Sequence, residues 1–120
     1  NRIKRWFHSI GIYPAGFAEE KMNIKPIGWY TKIWGGGFQK SGIPDIIACV
    51  KGQFVSIEIK ATTGRPSALQ ELNTNRIRDS DGHGCFLYPS GFDDFKEDLL
   101  HMIEALTWDL YASKMKGVYK

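Results

Sequence analysis

The sequence predicts an α/β protein, a mixed sheet flanked by helices, and three observations carry that prediction. Two runs of strand-type residues, Ile46 to Val50 and Phe54 to Ala61, are separated only by Lys51-Gly52-Gln53. An earlier run, Gly28 to Trp34, alternates aromatic and polar side chains. Segments with helical spacing lie on both sides of these runs, the strongest beginning at Phe92. A chain of 120 residues, 42% hydrophobic and 24% charged, buries one core, so residues 1–120 are expected to form a single domain.

The elements follow in order. Ile3, Trp6, Phe7 and Ile10 share a helix face, Gly11 ends that helix and Pro14 confirms the stop. Tyr13 to Pro26 reads as a polar, lysine-rich connection. The strand Gly28 to Trp34 comes next, then a glycine-rich loop from Gly35-Gly36-Gly37 to Gly42. After the two central strands, Pro66 and Ser67 suit the first turn of a helix running to about Asp81, with Leu69, Leu72 and Ile77 near one face. Cys85 to Tyr88 is a short buried strand. Phe92, Phe95, Leu99, Met102, Ile103 and Leu106 then mark an amphipathic helix. The expected order is α-β-β-β-α-β-α.

Composition excludes several classes. No apolar run approaches the ~20 residues of a membrane span, and Asn1 to Ile10 lacks the apolar stretch of a signal peptide. The expected location is cytoplasmic, the host cytoplasm if a phage encodes the chain. Cys49 and Cys85 stand in separate apolar runs and read as reduced, buried core residues. Sixteen Lys+Arg against 13 Asp+Glu give a net charge of +3, which permits a polyanionic partner without demanding one.

The chemistry concentrates in Ile43-Pro44-Asp45 and Ile57-Glu58-Ile59-Lys60. If Lys51-Gly52 is a two-residue hairpin turn, Val50 pairs with Gln53 and pairing proceeds outward until Asp45 faces Glu58. Their Cβ atoms would then lie about 5 Å apart. Phe54, Ser56, Glu58 and Lys60 alternate onto one face of their strand, so two acids and a lysine converge. Facing like charges destabilise a sheet, and a divalent cation offsets that repulsion. Oxygen ligands without paired His or Cys favour Mg²⁺ or Mn²⁺ over zinc. The bland alternative is that Lys60 and its neighbours neutralise two surface acids. His8, His83 and His101 are isolated. Trp6, Trp29 and Trp108 read as core or interface.

At Gly35-Gly36-Gly37, Lys40 to Asp45 (Lys-Ser-Gly-Ile-Pro-Asp), Glu58-Ile59-Lys60 and Gly64 to Gln70 (Gly-Arg-Pro-Ser-Ala-Leu-Gln), the sequence resembles the PD-(D/E)XK nuclease superfamily. It is most similar to the VRR-NUC branch in its short, phage-type form, and the likeness continues through Tyr88-Pro89 and the Phe92 helix. The resemblance implies a restriction-endonuclease-like αβββαβ core and hydrolysis of DNA phosphodiesters. It implies that Asp45, Glu58 and the Ile59 carbonyl ligate Mg²⁺, with Mn²⁺ able to substitute, and that Lys60 positions and activates the water. Gln70 matches the glutamine that touches the lysine or the water in such nucleases. One departure stands out. The family's first-helix glutamate has no counterpart in Asn1 to Ile10; its expected place is before Asn1, and neither Glu19 nor Glu20 is assigned to it.

Around this site Lys32, Trp34, Gln39, Lys40, Ser41, Arg65 and Ser67 read as a rim that holds a nucleic acid strand, with the Ser67 helix N-terminus adding partial positive charge. The expected activity is a structure-selective endodeoxyribonuclease that resolves four-way junctions as a homodimer, with Trp108, Leu110, Tyr111, Met115 and Tyr119 as apolar interface material. Within these 120 residues no separate sequence-reading domain is expected. Three alternatives stay open: a flap or duplex DNA repair nuclease, an RNA-processing nuclease, and a non-catalytic DNA-binding module.

Overall fold

The computed structural model describes residues 2–33, 42–107 and 118–119. Helix α1 (Arg2–Ile10) is followed by strands β1 (Ile12–Pro14), β2 (Gly28–Lys32), β3 (Ile46–Val50) and β4 (Gln53–Ile59). Helix α2 (Ala68–Asp79), strand β5 (His83–Leu87) and helix α3 (Phe92–Thr107) complete the described elements, with short 3₁₀ turns at Glu19–Lys21 and Pro89–Gly91. The five strands lie in sequence order. β1–β2 and β4–β5 are parallel, while β2–β3 and β3–β4 are antiparallel, so the sheet is mixed as expected.

Strand alternation sorts the two faces. Ile46, Ala48 and Val50 of β3, Val55 and Ile57 of β4, Tyr30 of β2 and Ile12 of β1 are buried in one cluster with Ile3, Phe7, Phe92 and Leu99. That is the side covered by α1 and α3. Trp6 joins the two helices there, its ring edge-on to Phe92 and Phe95 at 6.3 and 6.0 Å. Four consecutive β4 residues, Val55 to Glu58, are buried. A strand loses alternation in this way when both of its faces are covered, and α2 supplies the second cover.

The face beneath α2 is small and polar. Ser56 and Glu58 lie there, and the buried residue of α2 is Thr74, which meets Gly84 of β5. Leu69 and Leu72, which with Ile77 lie near one helix face by sequence, are 48% and 42% exposed. A helix laid over a carboxylate and a serine must present side chains that can donate or that occupy little space.

Three further expectations are corrected. Ile12–Pro14 is a strand, not the start of a loop, because it pairs in parallel with Gly28–Tyr30. Cys49 is exposed and Cys85 half-buried rather than both lying in the core; both are free thiols. Cys49 alternates outward between Ala48 and Val50. Trp29 is 46% exposed on the same outward row, opposite Cys49, which removes the core half of its core-or-interface reading. No helix among the described residues is long and apolar enough to cross a membrane.

Candidate active site

The site begins at a tight turn. Lys51 and Gly52 both adopt positive φ, 51° and 84°, the pattern of a type I′ hairpin whose twist matches its strands. The register follows: Val50 pairs with Gln53, and Ile46 with Ile57. One further step sets Asp45 opposite Glu58. Asp45 is held from two sides. Its carbonyl accepts the Ile33 N–H at 2.7 Å, and its Oδ2 accepts the Ile59 N–H at 2.7 Å. The carboxylate therefore leans across the Glu58-Ile59 peptide.

Glu58 is 5% exposed. Burial pushes its carboxyl up to about 7, the facing Asp45 carboxylate and a hydrogen bond shared with it push the same way, and Lys60 opposes them. The cause is the arrangement that the hairpin register dictates: a carboxylate taken out of water beside another carboxylate.

Gln70 organises the remainder. Ser67 caps α2, its Oγ accepting the Gln70 N–H at 3.1 Å, while the Ser67 N–H donates to Gln70 Oε1 at 2.9 Å. This capping box fixes the side chain at the start of the helix. Gln70 Oε1 also accepts from Lys60 Nζ at 2.6 Å, and Gln70 Nε2 donates to Glu58 Oε1 at 3.0 Å. The amide can point only one way, oxygen toward two donors and nitrogen toward the carboxylate. Lys60 Nζ donates in addition to the Arg65 carbonyl at 3.3 Å, and its backbone N–H to Leu87 at 2.9 Å. Asp45, Glu58, Lys60 and Gln70 are thus brought together at one end of the β3–β4 hairpin.

Could these residues hold a cation? Two carboxylates and the neighbouring Ile59 carbonyl present oxygen donors only. Among the described residues no group of three or more His, Cys, Asp or Glu side chains could hold a metal ion. A pair of acids suits Mg²⁺, which usually keeps several waters and takes one or two carboxylates together with substrate phosphate. The repulsion that raises Glu58 is what a cation between the acids would relieve. The donor set fits Mg²⁺.

The outer residues divide. Arg65 is exposed, and its carbonyl serves Lys60. Ser67 is exposed and acts as the helix cap. Lys32 pairs with Ile46, next to Asp45 along the sheet, but that register puts it on the α1/α3 face. Trp34, Gly35-Gly36-Gly37, Gln39, Lys40 and Ser41, with Trp108, Leu110, Tyr111 and Met115, lie outside the described residues. Tyr119 is 67% exposed. Glu19 and Glu20 sit exposed in their 3₁₀ turn. Two histidines pair with neighbouring side chains: His8 Nε2 lies 3.2 Å from Tyr30 Oη, and His83 Nε2 lies 3.1 Å from Gln53 Oε1. His101 is exposed on α3.

Two site residues have roles that no sequence pattern announced. Tyr88 Oη donates to the Gly64 carbonyl at 2.8 Å, fastening the loop that carries Arg65. Asn73 Nδ2 donates to the Gly42 carbonyl at 3.0 Å. Its place three residues after Gln70 puts it on the same helix face but does not by itself indicate this partner.

No family model, no curated protein and no solved structure matches the chain. Asp45, Glu58, Lys60 and Gln70 carry the functional reading by their own geometry.

Proposed function

We propose that this chain is a Mg²⁺-dependent endodeoxyribonuclease with a restriction-endonuclease-like core, as its resemblance to VRR-NUC nucleases implies. The observation that carries the reading is the joint placement of Asp45 and Glu58 across a hairpin, with Lys60 tied to Glu58 through Gln70. A structural ion pair would need only one acid and one base. Here a second carboxylate is held against a buried first one, which costs stability unless a cation is bound.

In this reading Asp45, Glu58 and the Ile59 carbonyl hold the cation. Bound there, Mg²⁺ supplies Lewis-acid polarisation of the scissile phosphate and lowers the pKa of a water beside it. The chain's own residues supply geometry. Asp45 is braced by the Ile33 and Ile59 N–H groups, so its orientation precedes substrate binding. Lys60 Nζ, aimed by Gln70 Oε1 and the Arg65 carbonyl, orients the attacking water and favours its hydroxide form. The same ammonium stabilises negative charge developing on the phosphate oxygens. Gln70 keeps Lys60 and Glu58 in fixed relation, so one cannot drift without the other.

The preferred substrate is branched DNA, and the preferred assembly a homodimer. A four-way junction has two-fold symmetry, which two copies of one active site match. Cleavage of four-way junctions, flaps, linear duplex and RNA in parallel, with and without Mg²⁺, tests this reading. Resolution of junctions in preference to the others supports it. Cleavage of RNA alone moves the function to RNA processing, and binding without any cleavage leaves a non-catalytic module.

A further inference from the structure

Helix α2 touches the candidate site at two places, and only one of them reaches the β4 residues. Gln70 secures Glu58 and Lys60. Three residues on, Asn73 Nδ2 donates to the Gly42 carbonyl at 3.0 Å, joining segments 31 residues apart. Gly42 leads into Ile43-Pro44-Asp45. We infer that Asn73 is a positioning residue for Asp45, and that α2 thereby sets the spacing between the two acids.

The contact at Gly42 has no slack. Gly42 adopts φ +86°, and a Cβ there would stand 2.8 Å from the Leu69 carbonyl carbon and Cβ and 2.9 Å from Asn73 Nδ2. Backbone and helix are in direct apposition, which any other residue would prevent. From Gly42 to Asp45 the chain is short and stiff. Pro44 is buried, its ring fixes its own φ, and it confines Ile43 to extended conformations. A shift at Gly42 is therefore passed on to Asp45 rather than absorbed between them. Beyond Asp45 the ladder begins, with the Ile33 N–H on its carbonyl. Asp45 is thus referenced to α2 on its N-terminal side and to the sheet on its C-terminal side.

Glu58 is referenced to the same helix, through a bond from Gln70 Nε2 made one turn earlier. One rigid element spans both acids. Facing carboxylates repel, and without that brace the Ile33 and Ile59 N–H bonds are left to hold Asp45 against the repulsion. A cation that needs both then binds less tightly. Residues that orient metal ligands in this manner commonly change affinity by about 10–100-fold when removed.

The inference rests on the metal-dependent reading of the site, and its test separates the two. Asn73→Ala removes the donor, and Asn73→Leu removes it while keeping the side chain's size and adding no charge near the acids. Asn75→Ala, on an exposed position of the same helix, controls for the substitution itself. Calorimetric titration of Mn²⁺ into the free protein gives cation affinity. Single-turnover cleavage across Mg²⁺ concentrations gives the midpoint and the saturating rate, and junction binding in metal-free buffer gives DNA affinity. All are measured well below each variant's melting temperature.

Both Asn73 variants are expected to weaken Mn²⁺ binding and raise the Mg²⁺ midpoint by about tenfold. The saturating rate and DNA affinity should stay near wild type, and Asn75→Ala should change nothing. A general loss of structure would instead lower every quantity together. Unchanged Mn²⁺ affinity in either folded variant, with wild type binding and cutting normally, overturns the positioning role alone. Wild-type protein that binds no Mn²⁺ and cuts no substrate overturns the nuclease reading, and this inference with it.

Discussion

Lys60 Nζ and Gln70 Oε1 lie 2.6 Å apart, a charge-assisted hydrogen bond that joins the end of β4 to the first turn of α2. Gln70 cannot rotate to release it, because the same oxygen accepts from Ser67 and the amide nitrogen donates to Glu58. The lysine is therefore aimed before any substrate arrives.

From this aim follows the first prediction. Lys60→Ala should lower the single-turnover rate about 10²–10³-fold, the usual effect of removing one charge-stabilising group. DNA affinity should barely change, the signature of an interaction made in the transition state. Gln70→Ala should cost less, about 10–100-fold, since it acts through Lys60 and Glu58. A Lys60→Ala protein that cuts normally and binds poorly would make the lysine a phosphate clamp only.

The acids act differently. Asp45→Asn and Glu58→Gln should each reduce cleavage by more than about 10³-fold, beyond the effect of a single donor. Both should fold, and both should bind DNA as tightly as wild type or more so, because negative charge facing the phosphates falls. Circular dichroism and a gel-shift titration check these outcomes. Loss of DNA binding in both variants would place the acids in recognition instead.

Without a cation, Glu58 has its carboxyl pushed up from 4.5 to about 7 by burial and by Asp45. A raised pKa means the folded state holds the proton more tightly than the unfolded chain. This group's contribution to stability is complete below its ordinary pKa and is lost as pH rises through about 7. Cation-free protein should melt at a lower temperature at about pH 8 than at about pH 5 by this contribution. Glu58→Gln should flatten the difference, and Mg²⁺ should restore wild-type stability at the higher pH. Cleavage at limiting Mg²⁺ should rise with pH through the same window, because proton and cation compete for Glu58. Equal pH slopes in wild type and Glu58→Gln would remove Glu58 as the titrating group.

Assembly gives a fourth expectation. Light scattering should return roughly twice 13.6 kDa at micromolar concentration. Mixed dimers of wild type with Glu58→Gln should nick one strand of a four-way junction without resolving it. A monomer, free and on DNA, that cuts flaps as readily as junctions would end the resolvase reading and leave the nuclease reading standing.

Much of the site was legible because hairpins obey local rules. Lys51-Gly52 specifies a two-residue turn, the turn specifies register, and register alone brings Asp45 to Glu58. Pro66 and Ser67 likewise mark the start of the second helix, although Ser67 stands before its first turn as the cap that bonds Gln70. What escaped depends on contacts distant in sequence. β1 is three residues ending in proline and exists through its pairing with β2. Leu69 and Leu72 share a face with Ile77, but that spacing does not say that the sheet beneath α2 offers Ser56 and Glu58. Thr74 and Gln70 suit that surface better. Asn73 could not be singled out until Gly42 was known to lie against it.

If the facing acids support metal-dependent phosphodiester hydrolysis, cleavage must depend on a divalent cation and on Glu58. Single-turnover incubation of purified protein with a labelled four-way junction, in Mg²⁺ and in excess EDTA, tests it most directly, with Glu58→Gln alongside. The expected result is cleavage in Mg²⁺ or Mn²⁺, loss of cleavage in Ca²⁺ or EDTA, and none at any metal concentration with Glu58→Gln. Undiminished cleavage in EDTA, or full activity in Glu58→Gln, would contradict it.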